Sequence, residues 1–295
     1  MRKIIFSDVT ARDGLQSLKK ILTVEQRVKL IKQLSNCMFS EIEVGSLVNP
    51  KIIPAMKDSL EVYTKTLDDK FKSYVLVGNE KNITDINFHK IKYFSLFTSP
   101  SNQFNINNIN TDVEGSFERF KKMINKLDKR ENHYIKGYIS CVSDCPFEGE
   151  ISIDKVLDTI KKYKEIGVDE ICLADTIGTL KPDKLNRILQ NSEKIYDNNL
   201  ISLHLHTENE LTTNRWKENL NVAINNNVYK FDTSLLGIGG CPAVYSKNRC
   251  KTGNLNIIHA VSYFKEIGLN VGNFGSSIWY EKVFNFEKEW NFLTT

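Results

Sequence analysis

The sequence lacks any apolar run of the roughly 18 residues that a membrane-spanning helix requires, so no span is expected. It also lacks a Lys/Arg block interleaved with aromatics, and 40 basic against 36 acidic residues leave a net charge of only +4. That balance disfavours nucleic acid as a partner and still suits a phosphate-bearing substrate. Cysteine is sparse, with six scattered at positions 37, 141, 145, 172, 241 and 250. Such scatter in a long chain argues against a disulfide framework and for a reducing compartment. No signal-peptide pattern opens the chain, and its end, Leu293-Thr294-Thr295, is not a recognised address. The cytoplasm is the default expectation, with the mitochondrial matrix if a transit peptide has been removed.

What is present is a repeating pattern. Eight short runs rich in Ile, Val, Tyr and Phe read as strands: "KIIFSDV", "SEIEVGS", "SYVLVG", "KYFSLFTS", "YIKGYIS", "EICLAD", "ISLHLH" and "VYKFDTS". Amphipathic stretches separate them. Val24, Val28 and Ile31 share one helical face behind Thr23, a natural N-cap. Val156, Ile160 and Tyr163 share another, which ends at Gly167. Pro182 suits the first turn of a third. Strands alternating with helices predict an α/β fold, a (β/α)8 TIM barrel over a doubly wound sheet. With 295 residues and 41% hydrophobic content, one catalytic domain over 1–295 is expected. Its C-terminal helical extension, about 270–295, carries Trp279, Val283, Phe286 and Trp290 on one stripe, for packing on the barrel or for a dimer contact. The polar "NQFNINNINTD", 102–112, reads as a loop.

In such a barrel the site lies at the C-terminal ends of the strands. Polar groups collect there: Arg12 and Asp13 after the first strand, Glu43 and Ser46 in the second, Ser140 and Cys141 after the fifth, Asp175 and Thr176 after the sixth. The seventh strand carries His204 and His206, followed by Glu208, and "GIGGCP" with Cys241 follows the eighth. Residues i and i+2 on a strand share a face. His204 and His206 could therefore hold a divalent cation, or be two ordinary barrel histidines. With Asp13 as a third ligand, the mixed set would suit Mg²⁺, Mn²⁺ or Zn²⁺. Cys241 could move a proton or be a structural thiol. Cys141 and Cys145 could be a metal or redox pair, though structural thiols are the simpler reading. Asp175 could cap the following helix, and Glu43 could partner Arg12.

These residues together resemble the 3-hydroxy-3-methylglutaryl-CoA lyase family of metal-dependent barrel lyases and synthases. The resemblance covers nearly the whole chain: "RDGLQ" with Lys19, "SLVNPKIIPAM", "GYISCVSDCPFEG", "DTIG", "GIGGCP" and "TGNL" occur in order. It implies a divalent cation, Mg²⁺ or Mn²⁺ with Zn²⁺ as an alternative, held by Asp13, His204, His206 and Asn254. It implies cleavage of an acyl-CoA to acetyl-CoA and acetoacetate, as in leucine degradation and ketone-body formation. Arg12, Asp13, Glu43, His204 and Cys241 are then the catalytic set. Arg12, Gln16, Lys19, Ser46, Ser140, Asp175 and Thr176 are the substrate-binding set. The family resemblance suggests a homodimer or larger assembly. Gly14 is expected to let the backbone turn tightly after Arg12 and Asp13.

Three departures stand out. The His-x-His continues as Thr207-Glu208-Asn209-Glu210, where the family has Asp-Thr-Tyr-Gly. The segment after "GGCP" is longer and carries Tyr245, Lys247, Arg249 and Cys250. Asp144 replaces a glycine of the fifth-strand run. The first two fall at the mouth of the site and bear on the acyl group. The alternatives are a relative acting on another acyl-CoA, one that condenses acetyl-CoA with a 2-oxo acid, and a catalytically degenerate relative.

Overall fold

All eight apolar runs become strands. In a computed structural model they are β1 (Ile5–Asp8), β2 (Glu41–Ser46), β3 (Lys72–Leu76), β4 (Tyr93–Thr98), β5 (Tyr134–Ile139), β6 (Glu170–Asp175), β7 (Ile201–Thr207) and β8 (Lys230–Thr233). The structure describes residues 2–18, 20–128, 131–207, 214–240 and 252–294. Each strand pairs in parallel with the next, and β8 pairs in parallel with β1, with Ile5 opposite Lys230 and Asp8 opposite Thr233. The sheet is therefore a closed (β/α)8 barrel, which removes every edge.

The helices are α1 (Val24–Asn36), α2 (Ser59–Thr66), α3 (Ile83–Phe88), α4 (Asn102–Ile109), α5 (Val113–Asn125), α6 (Ile153–Glu165), α7 (Pro182–Ser192), α8 (Arg215–Asn225), α9 (Ile257–Glu266) and α10 (Ser277–Trp290). None among the described residues is long and apolar enough to cross a membrane. Thr23 starts α1 in a full capping box with Gln26, and Pro182 sits in the first turn of α7.

Strand alternation divides two interiors. Outward residues such as Phe6, Ile42, Val44, Ile171, Leu173, Leu203 and Phe231 join the helices in one large apolar core. Inward residues are largely polar, and a separate small apolar cluster of Leu76, Tyr138 and Cys172 sits among them. Layers of branched aliphatics usually fill such a barrel. This one is filled mainly by charges and hydroxyls.

Two segments differ in instructive ways from the sequence pattern. Asn102–Ile109 is a helix, not a loop. Ser101 caps it by accepting the Phe104 N–H. Phe104 and Asn105 are buried, and the Asn105 amide is satisfied by Thr98 and Ser99. Burial and capping outweigh the weak helix propensity of Asn. The stripe on α10 is buried as Trp279, Val283, Phe286 and Trp290. The Trp279 indole N–H reaches the Cys37 carbonyl at 3.1 Å, and that of Trp290 reaches Gln33 on α1, so the stripe packs within the chain.

Candidate active site

The turn after β1 begins the site. Thr10–Gly14 forms a π-helical turn, closed by the Gly14 N–H on the Val9 carbonyl at 3.0 Å. Such wide turns are rare and cluster at functional sites. This one delivers Arg12 and Asp13 side by side into the barrel mouth, both buried. The role of Gly14 differs from the one expected. It has no left-handed conformation; instead, a Cβ there would lie 2.9 Å from Ile238 Cγ1. Close approach of the loop after β8, not a tight turn, demands glycine.

Arg12 is clamped. Its Nε donates to Glu43 Oε2 at 2.5 Å and its Nη1 to Asp13 Oδ1 at 2.6 Å. Ser95 holds the other Glu43 oxygen at 2.5 Å. The guanidinium lies 5.7 Å from the centre of the Tyr138 ring. Burial opposes the charge on Arg12, but Glu43 and Asp13 more than offset it and keep the group ionised. Its Nη2 has no hydrogen-bond partner among the described residues.

Asp13 is held on every side. Oδ1 also accepts from Gln16 Nε2 at 2.8 Å. Oδ2 accepts from Asn254 Nδ2 at 3.0 Å and from the Gly240 N–H at 3.2 Å. Burial alone would raise this carboxyl, but Arg12 and the two imidazoles hold it well below the usual carboxylate range. Gly239 makes the cradle possible. Its φ is +142°, and a Cβ would fall 1.9 Å from Asn254 Nδ2 and 2.8 Å from Asp13 Oδ2.

His204 and His206 project from β7 on one face. Their Nε2 atoms are 3.1 Å apart, and His206 Nε2 is 3.8 Å from Asp13 Oδ2. The Nδ1 of His206 meets the Thr176 carbonyl at 2.8 Å, and that of His204 meets Asp232 at 3.2 Å. Burial lowers the proton affinity of His206, but the Asp13 carboxylate reverses this and raises it above the ordinary value. Ligand atoms of Asp13, His204 and His206 all lie within 4.8 Å of one another, and the three residues are buried. Asn254 adds an amide oxygen, Oδ1, that is buried and has no partner among the described residues. Two imidazoles, a carboxylate and an orphaned amide oxygen form a donor set that fits a divalent cation.

The match to the HMGL-like family covers residues 3–273. The chain belongs to the HMGL-like family. Its relatives include the mitochondrial hydroxymethylglutaryl-CoA lyase of Macaca fascicularis, 33% identical over 92% of this chain and 81% of that protein. The hydroxymethylglutaryl-CoA lyase of Pseudomonas mevalonii is 30% identical over 91% of this chain and 89% of that protein. A solved HMG-CoA lyase of Acinetobacter baumannii, in complex with coenzyme A and 3-methylmalate, superposes with a TM-score of 0.86. It is 27% identical and covers 99% of this chain and 91% of that one.

On this HMGL-like barrel the other sequence-selected residues divide. Thr176 reaches the cluster through its carbonyl, while its hydroxyl accepts the Cys141 N–H at 2.8 Å. Asp175 is committed locally: its oxygens accept the N–H groups of Thr179 and Leu180 at 3.0 and 2.9 Å. Burial pushes it up to about 6 despite those bonds. Ser46 is buried with its hydroxyl unpartnered among the described residues, and Ser140 is half-buried with its N–H on Thr98. Neither is bonded to the cluster. Asp144 accepts from the Thr179 hydroxyl at 2.5 Å and so ties the loops after β5 and β6. Lys19, Cys241, Glu208, Tyr245, Lys247, Arg249 and Cys250 lie outside the described residues. Sequence reasoning missed Gly239, Gly240, Ser95 and Tyr138. The last two carried a signal, as polar positions in register within apolar strands.

Proposed function

We propose that the protein cleaves 3-hydroxy-3-methylglutaryl-CoA to acetyl-CoA and acetoacetate at this site, as a carbon–carbon lyase. The observation that carries the reading is the convergence of Asp13, His204, His206 and the orphaned Asn254 carbonyl beside the clamped Arg12. Asp13, His204, His206 and Asn254 would hold the cation, Mg²⁺ or Mn²⁺ with Zn²⁺ as the alternative for this mixed nitrogen and oxygen set. Once bound, the cation supplies Lewis-acid polarisation of substrate oxygens.

The chain's own residues then have defined tasks. Cleavage transfers the proton of the C3 hydroxyl to the Asp13 carboxylate, breaks the C2–C3 bond and leaves its electron pair as a thioester enolate. Arg12 faces the developing enolate oxygen with the guanidinium edge that Glu43 and Asp13 leave unused, so its contact strengthens as charge builds. Glu43, fixed by Ser95, keeps that edge aimed. Cys241, which follows Gly239 and Gly240 in the chain, delivers a proton to C2, completes acetyl-CoA and regains a proton from the one Asp13 took. Gln16, Ser46, Ser140, Asp175 and Thr176 shape the pocket for the acyl-CoA, and Lys19 is assigned to the same substrate-binding set from the sequence.

The test is acetoacetate release from 3-hydroxy-3-methylglutaryl-CoA by chelator-stripped enzyme, with and without Mg²⁺ or Mn²⁺. Cation-dependent release is expected, and Arg12→Gln should lower kcat by about 10²–10³-fold, as removal of one oxyanion donor does. No release in the presence of either cation, with condensation of acetyl-CoA and a 2-oxo acid observed instead, would replace the lyase with a synthase.

A further inference from the structure

Beneath the imidazole pair lies a buried ion pair that the lyase reading does not use. Asp232 on β8 is 1% exposed. Lys136 Nζ donates to its Oδ1 at 2.6 Å, and the Tyr138 hydroxyl donates to its Oδ2 at 2.7 Å. The same Oδ2 faces His204 Nδ1 at 3.2 Å. This contact follows from the sheet, because parallel pairing of β7 and β8 sets Asp232 directly opposite His204.

We propose that Asp232 is a positioning residue for the cation-binding imidazole of His204, itself fixed by Lys136 and Tyr138. An imidazole has two nitrogens, and the hydrogen bond made by one decides which way the other points. Asp232 accepts the Nδ1–H of His204 and so turns a bare Nε2 toward Asp13 and His206. An ionised acceptor also makes the ligand nitrogen a better electron donor. The two histidines differ in what secures them. His206 leans on the Thr176 carbonyl, a backbone group that no substitution at 176 removes. His204 depends on a side chain, which makes Asp232 the exposed point of the design. The Lys136–Asp232 pair is therefore more than filling for the barrel. Lys136 supplies the charge that keeps a carboxylate ionised where it is 1% exposed, and Tyr138 shares that carboxylate while packing its ring against Arg12.

This inference rests on the cation-site reading, and its test separates the two. Mn²⁺ affinity is measured by titration calorimetry on the full chain stripped of metal, with far-UV circular dichroism as a control for folding. The variants are Asp232→Asn and the charge-balanced double variant Lys136→Met/Asp232→Leu, which removes the acceptor without stranding a buried lysine. The double variant is expected to keep the wild-type dichroism and to weaken Mn²⁺ binding about 10–100-fold, the usual cost of losing such an outer partner. Asp232→Asn, which retains an acceptor oxygen, should lose less. A folded double variant that binds Mn²⁺ as the wild type does would overturn the proposal and leave the cation site standing. If the double variant does not fold, Asp232→Asn decides: unchanged affinity overturns the proposal and weakened affinity supports it. A wild-type chain that binds no Mn²⁺ would instead remove the cation site itself.

Discussion

The two ends of the barrel interior are both buried and both polar, yet they are built to opposite rules. At the end where the strands begin, cations and anions alternate. Glu41 accepts from Ser7 at 2.8 Å, from Lys72 at 3.1 Å and from Lys230. Glu170 accepts from Ser202 at 2.6 Å and from Lys230 at 2.5 Å, with Lys136 at 3.4 Å. Every oxygen of Glu41 and Glu170 meets an ammonium, so this carboxylate–ammonium network is closed, although the buried Tyr74 hydroxyl beside it has no partner among the described residues. At the opposite end, electron-pair donors converge instead. Two imidazole Nε2 atoms face each other and Asp13, and the Asn254 oxygen has no partner among the described residues. A closed network needs nothing more and serves stability. A set of converging donor atoms is what we propose a cation completes. Burial and polarity are therefore poor markers of a site, and the pattern of pairing is the better one.

Substitutions at the two ends should separate cleanly, with the largest effect at the strand C-termini. Asp13→Asn removes the one anionic member of the proposed donor set. It should abolish Mn²⁺ uptake and lower kcat/KM by about 10²–10⁴-fold, the several kcal/mol that a Lewis acid supplies, while dichroism stays the same. Retained Mn²⁺ at full occupancy would dissolve the contrast between the ends.

Lys230→Met makes the complementary break. It leaves Glu41 and Glu170 facing each other without their shared cation. Chemical denaturation should show a loss of about 3–5 kcal/mol, the cost of stranding a buried charge. The folded fraction should keep its Mn²⁺ affinity. A large loss of affinity without a loss of stability would mean that the two ends are one coupled network.

Asp8 gives a smaller and finer test, because it is a buried carboxylate with no cation among its hydrogen-bond partners. Its oxygens accept from Thr10, through the N–H at 3.0 Å and the hydroxyl at 2.7 Å. Burial pushes it up from 3.8 to about 7 despite those bonds. The unfolded chain thus gives up this proton near pH 3.8 while the native state keeps it to about pH 7. The native state binds more protons across that window, so the contribution of Asp8 to stability falls as pH rises through it. Asp8→Asn carries no such proton. Its stability relative to wild type should improve steadily across the same window, by an amount of order a few kcal/mol, and level off above it. A difference that does not change across that window would show that burial does not raise the Asp8 carboxyl.

Much of this was legible along the chain. Strand and helix periods predicted the barrel, because a closed parallel sheet needs apolar outward residues at every second strand position and amphipathic helices to cover them. Asp13, His204 and His206 were legible as donor types at strand ends. The i, i+2 spacing of the histidines placed both on one face. Asn102–Ile109 was not legible, since its helix depends on burying Phe104 and on a cap from Ser101. The reason for Gly14 was not legible either. It lies in the distance to Ile238, more than two hundred positions away.

The sequence by itself determined the alternation, and with it the fold class and the end of the barrel where reactive groups gather. Local chemistry suffices for that, because period and capping are properties of neighbouring residues. Only the tertiary structure decided partnership: that Lys230 bridges Glu41 and Glu170, that Gly239 leaves room for Asn254 against Asp13, and that strand register sets Asp232 opposite His204. Closing the barrel brings together residues that are far apart in the chain. Whether a buried polar atom is satisfied or waiting for a ligand depends on those distances alone.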